Sequence, residues 1–247
     1  IDYCVTKAYS KYKPEWIPAK YLSKGDVLLY PRLNKTKDKG RLIIEGKKIK
    51  IDVGFCRLIG YYLAEGYTNG RDGFAFSFNE NEKEFIDDVK NLINKYFGLK
   101  PKEGKTPGDI IFYSKKIMKF FSDTFYTGKI KRANNKILPA WFLYLPRSKQ
   151  VELFKGWWYG DKGSTTSRQF LNQMKIICLR LGILPSIYID SSESHRIRGK
   201  HEIKGRGVKA NYDNYVMGRL TFFKDDFNLK NDKYFRGVIS KDKFKYG

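Results

Sequence analysis

Two short segments of this chain place an acid at the same distance from a glycine. The first reads Leu58-Ile59-Gly60-Tyr61-Tyr62-Leu63-Ala64-Glu65-Gly66, and the second Leu153-Phe154-Lys155-Gly156-Trp157-Trp158-Tyr159-Gly160-Asp161. In each, glycine precedes the carboxylate by five residues, and the two segments lie 96 residues apart. Glycine inside a helix costs about 1 kcal/mol relative to alanine, so its presence needs a reason. Close crossing of two helices is one: Gly60 and Gly156 would let the backbones approach, and Glu65 and Asp161 would then emerge side by side. Two such carboxylates repel each other and sit at the negative ends of two helix dipoles. A divalent cation between them removes both penalties. Mg2+ (or Mn2+) with carboxylates, water and a phosphate oxygen is a hard-ligand arrangement that activates water and stabilises the leaving oxygen of a phosphodiester. Taken singly, either acid reads as ordinary decoration of a helix end.

The elements that must carry these residues are legible as periodicities. Asp52 is a candidate cap for a helix over Val53 to Ala64. Phe74, Phe76 and Phe78 alternate as a strand, and Asp109 to Tyr113 is a second short strand. An amphipathic helix is expected over Asn79 to Phe97, stopped by Gly98, and another over Lys116 to Phe125. Ser148 is a candidate cap for a helix over Lys149 to Gly160. A long helix follows over Ser167 to Leu181, then strands at Ile187 to Ile189 and Tyr215 to Phe223. The order helix, strand, long helix, strand thus occurs twice, which implies an internal duplication of a half-domain.

Charge supplies the partner class. Lys plus Arg number 49 against 26 Asp plus Glu, a net +23 over 247 residues. A chain this basic points to a polyanion, and a lysine-rich proteome bias is the plain alternative. Eight basic residues against Asp38 and Glu45 lie between Arg32 and Lys50, in a stretch that reads as a Gly-dotted basic linker. The polar stretch Ser191 to Ala210 holds Arg196, Arg198, Lys200, Lys204, Arg206 and Lys209, and suits a mobile arm that follows phosphates. No apolar run is long enough for a membrane helix. Ile1 to Lys20 lacks the pattern of a signal peptide. Cys4, Cys56 and Cys178 have no zinc or disulfide spacing, which fits an intracellular location, cytoplasm or nucleoid. The absence of an initial methionine suggests a processed or excised piece.

The two acid-bearing segments resemble the paired motifs of LAGLIDADG homing endonucleases, in particular the form carried by archaeal inteins. Leu58 to Gly66 is the closer match. In Leu153 to Gly163, Lys162 stands where the motif has its final glycine and Tyr159 replaces its sixth-position acid, while Asp161 stays in register. Lys136-Ile137-Leu138-Pro139 resembles the "K-x-x-P" block that precedes the second motif. Thr165-Thr166-Ser167 and Leu179 to Ile183 resemble the segments that follow it.

The resemblance implies an α+β fold: a pseudo-two-fold duplicated αββαββα unit whose two antiparallel sheets form a saddle over the major groove of double-stranded DNA, in a monomer. It implies a metal-dependent, site-specific DNA endonuclease with Glu65 and Asp161 as catalytic acids. The metal would be held by Glu65, Asp161 and the neighbouring Gly66 and Gly160. Lys136 matches the basic residue that stabilises charge at the cleaved phosphate, and Lys230 (or Lys233) would be its counterpart in the second half. Arg71, Ser77, Asn79 and Arg219 are candidates for base readout from the strands, and Tyr188, Asp190 and Tyr215 are further ones. Residues 1–50 would be a splicing-domain remnant and linker, 51–147 and 148–232 the two repeats, and 233–247 a returning splicing-domain strand. The alternative is a catalytically inactive nucleic-acid binder of the same fold, an RNA maturase or transcription regulator.

Overall fold

A computed structural model of the chain describes residues 2–7, 15–24, 26–28, 35–69, 71–104, 106–183, 185–189, 199–202, 209–212 and 218–221. The chain divides into two units, residues 1–34 and 35–247. In the first unit, β1 (Asp2–Lys7), β2 (Glu15–Pro18) and β3 (Asp26–Leu28) form an antiparallel sheet in the order β2-β1-β3.

The second unit opens on a hairpin. β4 (Arg41–Ile44) pairs antiparallel with β5 (Lys47–Lys50) across Glu45-Gly46, both at positive φ, which glycine accepts freely and glutamate does not. Residues 41–50 of the stretch read as a linker therefore form a hairpin. Leu42, Ile44 and Ile49 turn inward and the lysines turn out. Its apolar alternation is short and is masked by the charge around it.

The helix α1 (Val53–Glu65) starts where the capping residue indicates: the Asp52 carboxylate accepts from the Phe55 amide at 3.0 Å. Tyr96 and Lys95 also donate to it, and these bonds hold its pKa below the ordinary carboxylate value against the opposing effect of burial. Beyond α1 come β6 (Gly66–Thr68), β7 (Gly73–Ser77), α2 (Lys83–Phe97), β8 (Lys102–Glu103), β9 (Asp109–Tyr113) and α3 (Lys115–Thr124). This half has the order αββαββα. Its strands form one antiparallel sheet in the order β6-β7-β9-β8.

One face of that sheet is paved with Phe74, Phe76, Ile110 and Phe112, all buried. They meet Tyr62 of α1 and Phe121 of α3, whose rings stack at 4.1 Å. Each such side chain contributes about 2 kcal/mol by leaving water. α2 begins four residues later than its periodicity suggests. Asn79 closes a local turn through the Asn81 amide at 3.0 Å, and this turn takes up the expected first turn of helix.

The second half holds α4 (Arg147–Asp161), β10 (Ser164–Thr165), α5 (Arg168–Arg180), β11 (Ser186–Ile189), β12 (Gly199–Glu202), β13 (Lys209–Tyr212) and β14 (Gly218–Thr221). α4 starts after Pro146, ahead of the expected Ser148 cap; proline fits there because the first amides of a helix have no intrahelical partner. Among the described residues, the αββαββα order is not repeated in this half. Only Thr166 lies between β10 and Ser167, which already caps α5 by accepting from the Phe170 amide at 3.2 Å. No second strand fits in that interval. β14, much later in the chain, pairs with β10 instead, giving the antiparallel order β10-β14-β11. Within Ser191 to Ala210, expected as a loop, β12 and β13 pair as a hairpin.

The α1, α2 and α4 helices are tied at one place. Arg57 donates to Asp88 at 2.7 and 3.1 Å and to Glu152 at 2.6 Å, and Tyr61 donates to Asp88 at 3.1 Å. Arg57→Met leaves two half-buried carboxylates without their shared cation. It is expected to cost about 2 kcal/mol, read as a lowered denaturation midpoint; an unchanged midpoint would remove this network from the account.

Candidate active site

α1 and α4 pack side by side with their C-termini at the same end. Gly60 and Gly156 are the contact. A Cβ on Gly60 would lie 2.8 Å from the Trp157 amide nitrogen and 2.9 Å from the Gly156 Cα. A Cβ on Gly156 would lie 3.0 Å from the Tyr61 amide nitrogen. Neither position admits a side chain while the backbones stay in contact. One turn further on, a Cβ on Gly160 would lie 2.8 Å from the Glu65 Oε1. The acids at the two helix ends are thus neighbours, as the matched spacing implies.

Burial and neighbouring charge shape their chemistry. Glu65 is half-buried, and desolvation pushes its carboxyl up to about 7, opposed by Lys136. Asp161 is raised too, by burial first and by Glu65 second. Both acids therefore resist ionisation, and a divalent cation is the group that would relieve them.

Lys136 is 5% exposed, sits at the end of α1 and is near enough to both acids for their charges to act on it. Its Nζ donates to the carbonyls of Tyr62, Leu63 and Ala64 at 3.3, 3.0 and 3.1 Å. These are carbonyls of the last helical turn, two of which have no partner within the helix. Burial lowers the Lys136 pKa, and both carboxylates oppose that shift. Its backbone is fixed as well: the Lys136 carbonyl accepts from the Ser167 hydroxyl at 2.6 Å, and Gln173 of α5 brackets Leu138 with two bonds. The lysine expected at a phosphate donates here to the end of the helix that presents Glu65. A lysine in sequence reads as solvated, and only the three converging carbonyls show otherwise.

Gly66 ends α1, and its amide donates to the Tyr62 carbonyl. Gly160 lies against Glu65. Lys162 follows α4 at φ 51°, the left-handed conformation that glycine favours, and glycine is what the motif this segment resembles has there. Lys162→Gly is expected to raise stability by about 1 kcal/mol in chemical denaturation; a loss of stability would mean its charge beside the acids outweighs backbone strain.

The exposed face of the β6-β7-β9-β8 sheet carries Ser77, whose hydroxyl donates to Asp109 at 2.6 Å. It also carries Tyr67 and Tyr113, the latter beneath the Lys102 ammonium at 5.7 Å. Tyr67, Lys102, Asp109 and Tyr113 were not singled out from sequence, although alternation in the strands marks the face they share. Arg71 is exposed in the turn between β6 and β7, where the Asn69 side chain accepts three backbone amides. Asn79 lies past the end of β7 and off the sheet face, its amide oxygen engaged in its own turn. In the other sheet, Arg219 of β14 stands opposite Ser164 and Tyr188. Lys200 and Lys209 lie on β12 and β13. Asp190, Arg196, Arg198, Lys204, Arg206, Tyr215, Lys230 and Lys233 lie outside the described residues, as does the returning strand.

Among the described residues no three His, Cys, Asp or Glu side chains converge as a metal cluster, and no helix is long and apolar enough to cross a membrane. Cys56 and Cys178 are buried and unpaired in the core.

No family model matches the chain. An uncharacterized protein of Methanocaldococcus jannaschii is 43% identical over 247 residues, covering 92% of this chain and 30% of that protein. An iron-sulfur cluster assembly SufBD family protein of Mycobacterium tuberculosis is 30% identical over 215 residues, covering 79% of this chain and 23% of that protein. A DNA polymerase of Thermococcus kodakarensis is 27% identical over 210 residues, covering 78% of this chain and 11% of the polymerase. The chain spans less than a third of the length of each of these relatives. Among solved structures, mesophilic variants of the homing endonuclease I-DmoI align with a TM-score of 0.44 and 14% identity, over 72% of this chain and 93% of that one.

Proposed function

We propose that the chain is a site-specific DNA endonuclease of the LAGLIDADG homing type, borne as an insert within a host protein. The observation that carries this reading is the Gly60–Gly156 contact, which brings Glu65 and Asp161 together at the ends of two helices. The relatives support the inserted character. Segments like this one make up a minor part of an iron-sulfur assembly protein and of a DNA polymerase, whose named activities share no chemistry. What those proteins have in common with this chain is therefore an element independent of either activity.

Two hard-oxygen carboxylates that resist ionisation fit Mg2+ or Mn2+. The cation, when bound, supplies a lowered water pKa and stabilisation of the leaving oxygen. The remaining roles fall to the chain. Glu65 and Asp161 hold the cation. Lys136 fixes the α1 terminus and keeps a positive charge behind both acids. Gly60, Gly156 and Gly160 set the separation of the two helix ends. The Ser77–Asp109 and Lys102–Tyr113 face would meet bases and phosphates in the major groove, where Asp accepts from cytosine and Lys donates to guanine.

The test is incubation with a duplex in which the host coding sequence runs uninterrupted across the insertion point. A double-strand break that needs Mg2+ and stops with EDTA is expected. An intact duplex at saturating protein would contradict the reading.

A further inference from the structure

A basic groove lies between the end of β6 and α3, on residues not assigned to any role above. It occupies about 470 Å³. Lys115 and Lys119 stand one helical turn apart on the exposed side of α3 and form one wall. Lys129 and Lys131 form the other wall, after the turn at Gly128, where the Lys131 ammonium donates to the Gly128 carbonyl at 2.9 Å. Thr68 and Asn69, at the end of β6, and Met118 and Ser122 of α3 complete the lining.

Four ammonium groups around one groove repel each other. The carboxylate paired with them is Asp123, 3.4 Å from Lys119 and itself well exposed. An anionic occupant would relieve that repulsion.

Its position narrows the occupant. β6 is an edge strand of its sheet, and it begins immediately after Glu65. At about 3.3 Å per residue, Thr68 is roughly 10 Å along the strand from Glu65. One strand of B-DNA advances 3.4 Å per nucleotide, so for a duplex lying along β6 that distance is roughly three nucleotides.

We propose that the Lys115–Lys119–Lys129–Lys131 groove holds the phosphate backbone of duplex DNA about three nucleotides from the scissile bond. This rests on the endonuclease reading, and it adds a sequence-independent clamp to it: lysines are point charges suited to phosphates and carry no base information here.

The experiment measures affinity of the full chain for its uninterrupted-site duplex against salt, with EDTA present so that the duplex stays whole. The variant replaces all four lysines by glutamine; all four are surface groups, and an unchanged thermal midpoint confirms that it folds. Release of about four contacts should make the log–log salt slope shallower by roughly 3 to 4. Affinity near 150 mM salt should fall on the order of 100-fold. Lys83→Gln with Lys90→Gln, on the separate groove beside α2, should keep the parent slope. A four-lysine variant with the parent's slope and affinity overturns the groove while leaving the endonuclease reading standing. A parent that does not bind the duplex overturns both.

Discussion

Glu65→Gln and Asp161→Asn should each lower DNA cleavage at least 1,000-fold, leave duplex binding nearly unchanged, and make the metal-free protein more stable. The first effect follows from the loss of a charged ligand on the cation that activates water. The second follows because binding draws on Lys and Arg at many phosphates, and two neutral amides add no repulsion. The third is the most distinctive. In EDTA the folded protein buries the Glu65 carboxyl against its preference. Its pKa rises from the unfolded 4.5 to about 7, so the folded state keeps a proton that the unfolded chain has released. Stability is therefore full below about pH 4.5 and falls as pH rises toward 7. Glu65→Gln removes that decline and should gain on the order of 2 kcal/mol at pH 7.5. Mg2+ with duplex should reverse the order by stabilising the parent alone. Denaturation midpoints at pH 5 and 7.5, with EDTA and with Mg2+, check all of this. A variant less stable than the parent in EDTA would mark the acids as structural.

Gly156→Val should abolish folding or cost about 4 kcal/mol, and Gly156→Ala should cost about 3. A glycine-to-alanine change within a helix ordinarily gains about 1 kcal/mol, so the sign itself is diagnostic. The new methyl group would lie 3.0 Å from the Tyr61 amide nitrogen and closer still to the Arg57 carbonyl. Both are backbone atoms of α1 and cannot rotate away. The helices must part, and the acids at their ends part with them. Guanidinium denaturation reads the loss, and an alanine variant as stable as the parent would show that the helices do not meet there. Cleavage by any folded Gly156→Ala protein should fall more than its residual folded fraction accounts for, because a displacement near 1 Å at the acids is costly to catalysis.

The acid pair was legible because glycine in a helix and a carboxylate five residues on are both anomalies, and the same pair of anomalies occurred twice. α1, α2 and β9 were legible because their apolar periods are long or strict. The β4–β5 hairpin was not, since Leu42, Ile44 and Ile49 are few among many lysines and the turn uses Glu45 in a left-handed conformation. The start of α2 was hidden because Asn79 bonds within its own turn, a choice set by side-chain geometry rather than by pattern. Lys136 was found by resemblance, but its placement was not foreseeable. The carbonyls that hold it belong to residues more than 70 positions earlier and converge only after α1 and the Lys136 segment pack. The altered strand order of the second half was latent in the sequence, since Thr165-Thr166-Ser167 leaves no room for a second strand between β10 and α5.

The most direct test of the central claim locates the cation. Fe2+ replacing Mg2+ in the duplex complex, with ascorbate and peroxide, generates short-lived radicals that cut the polypeptide beside the metal. Backbone cleavage is expected near Glu65-Gly66 and near Asp161-Lys162 together, and both sets of cuts should vanish in Glu65→Gln and in Asp161→Asn. Cuts at neither position, or cuts that survive both substitutions, would contradict a metal held between the two helix ends.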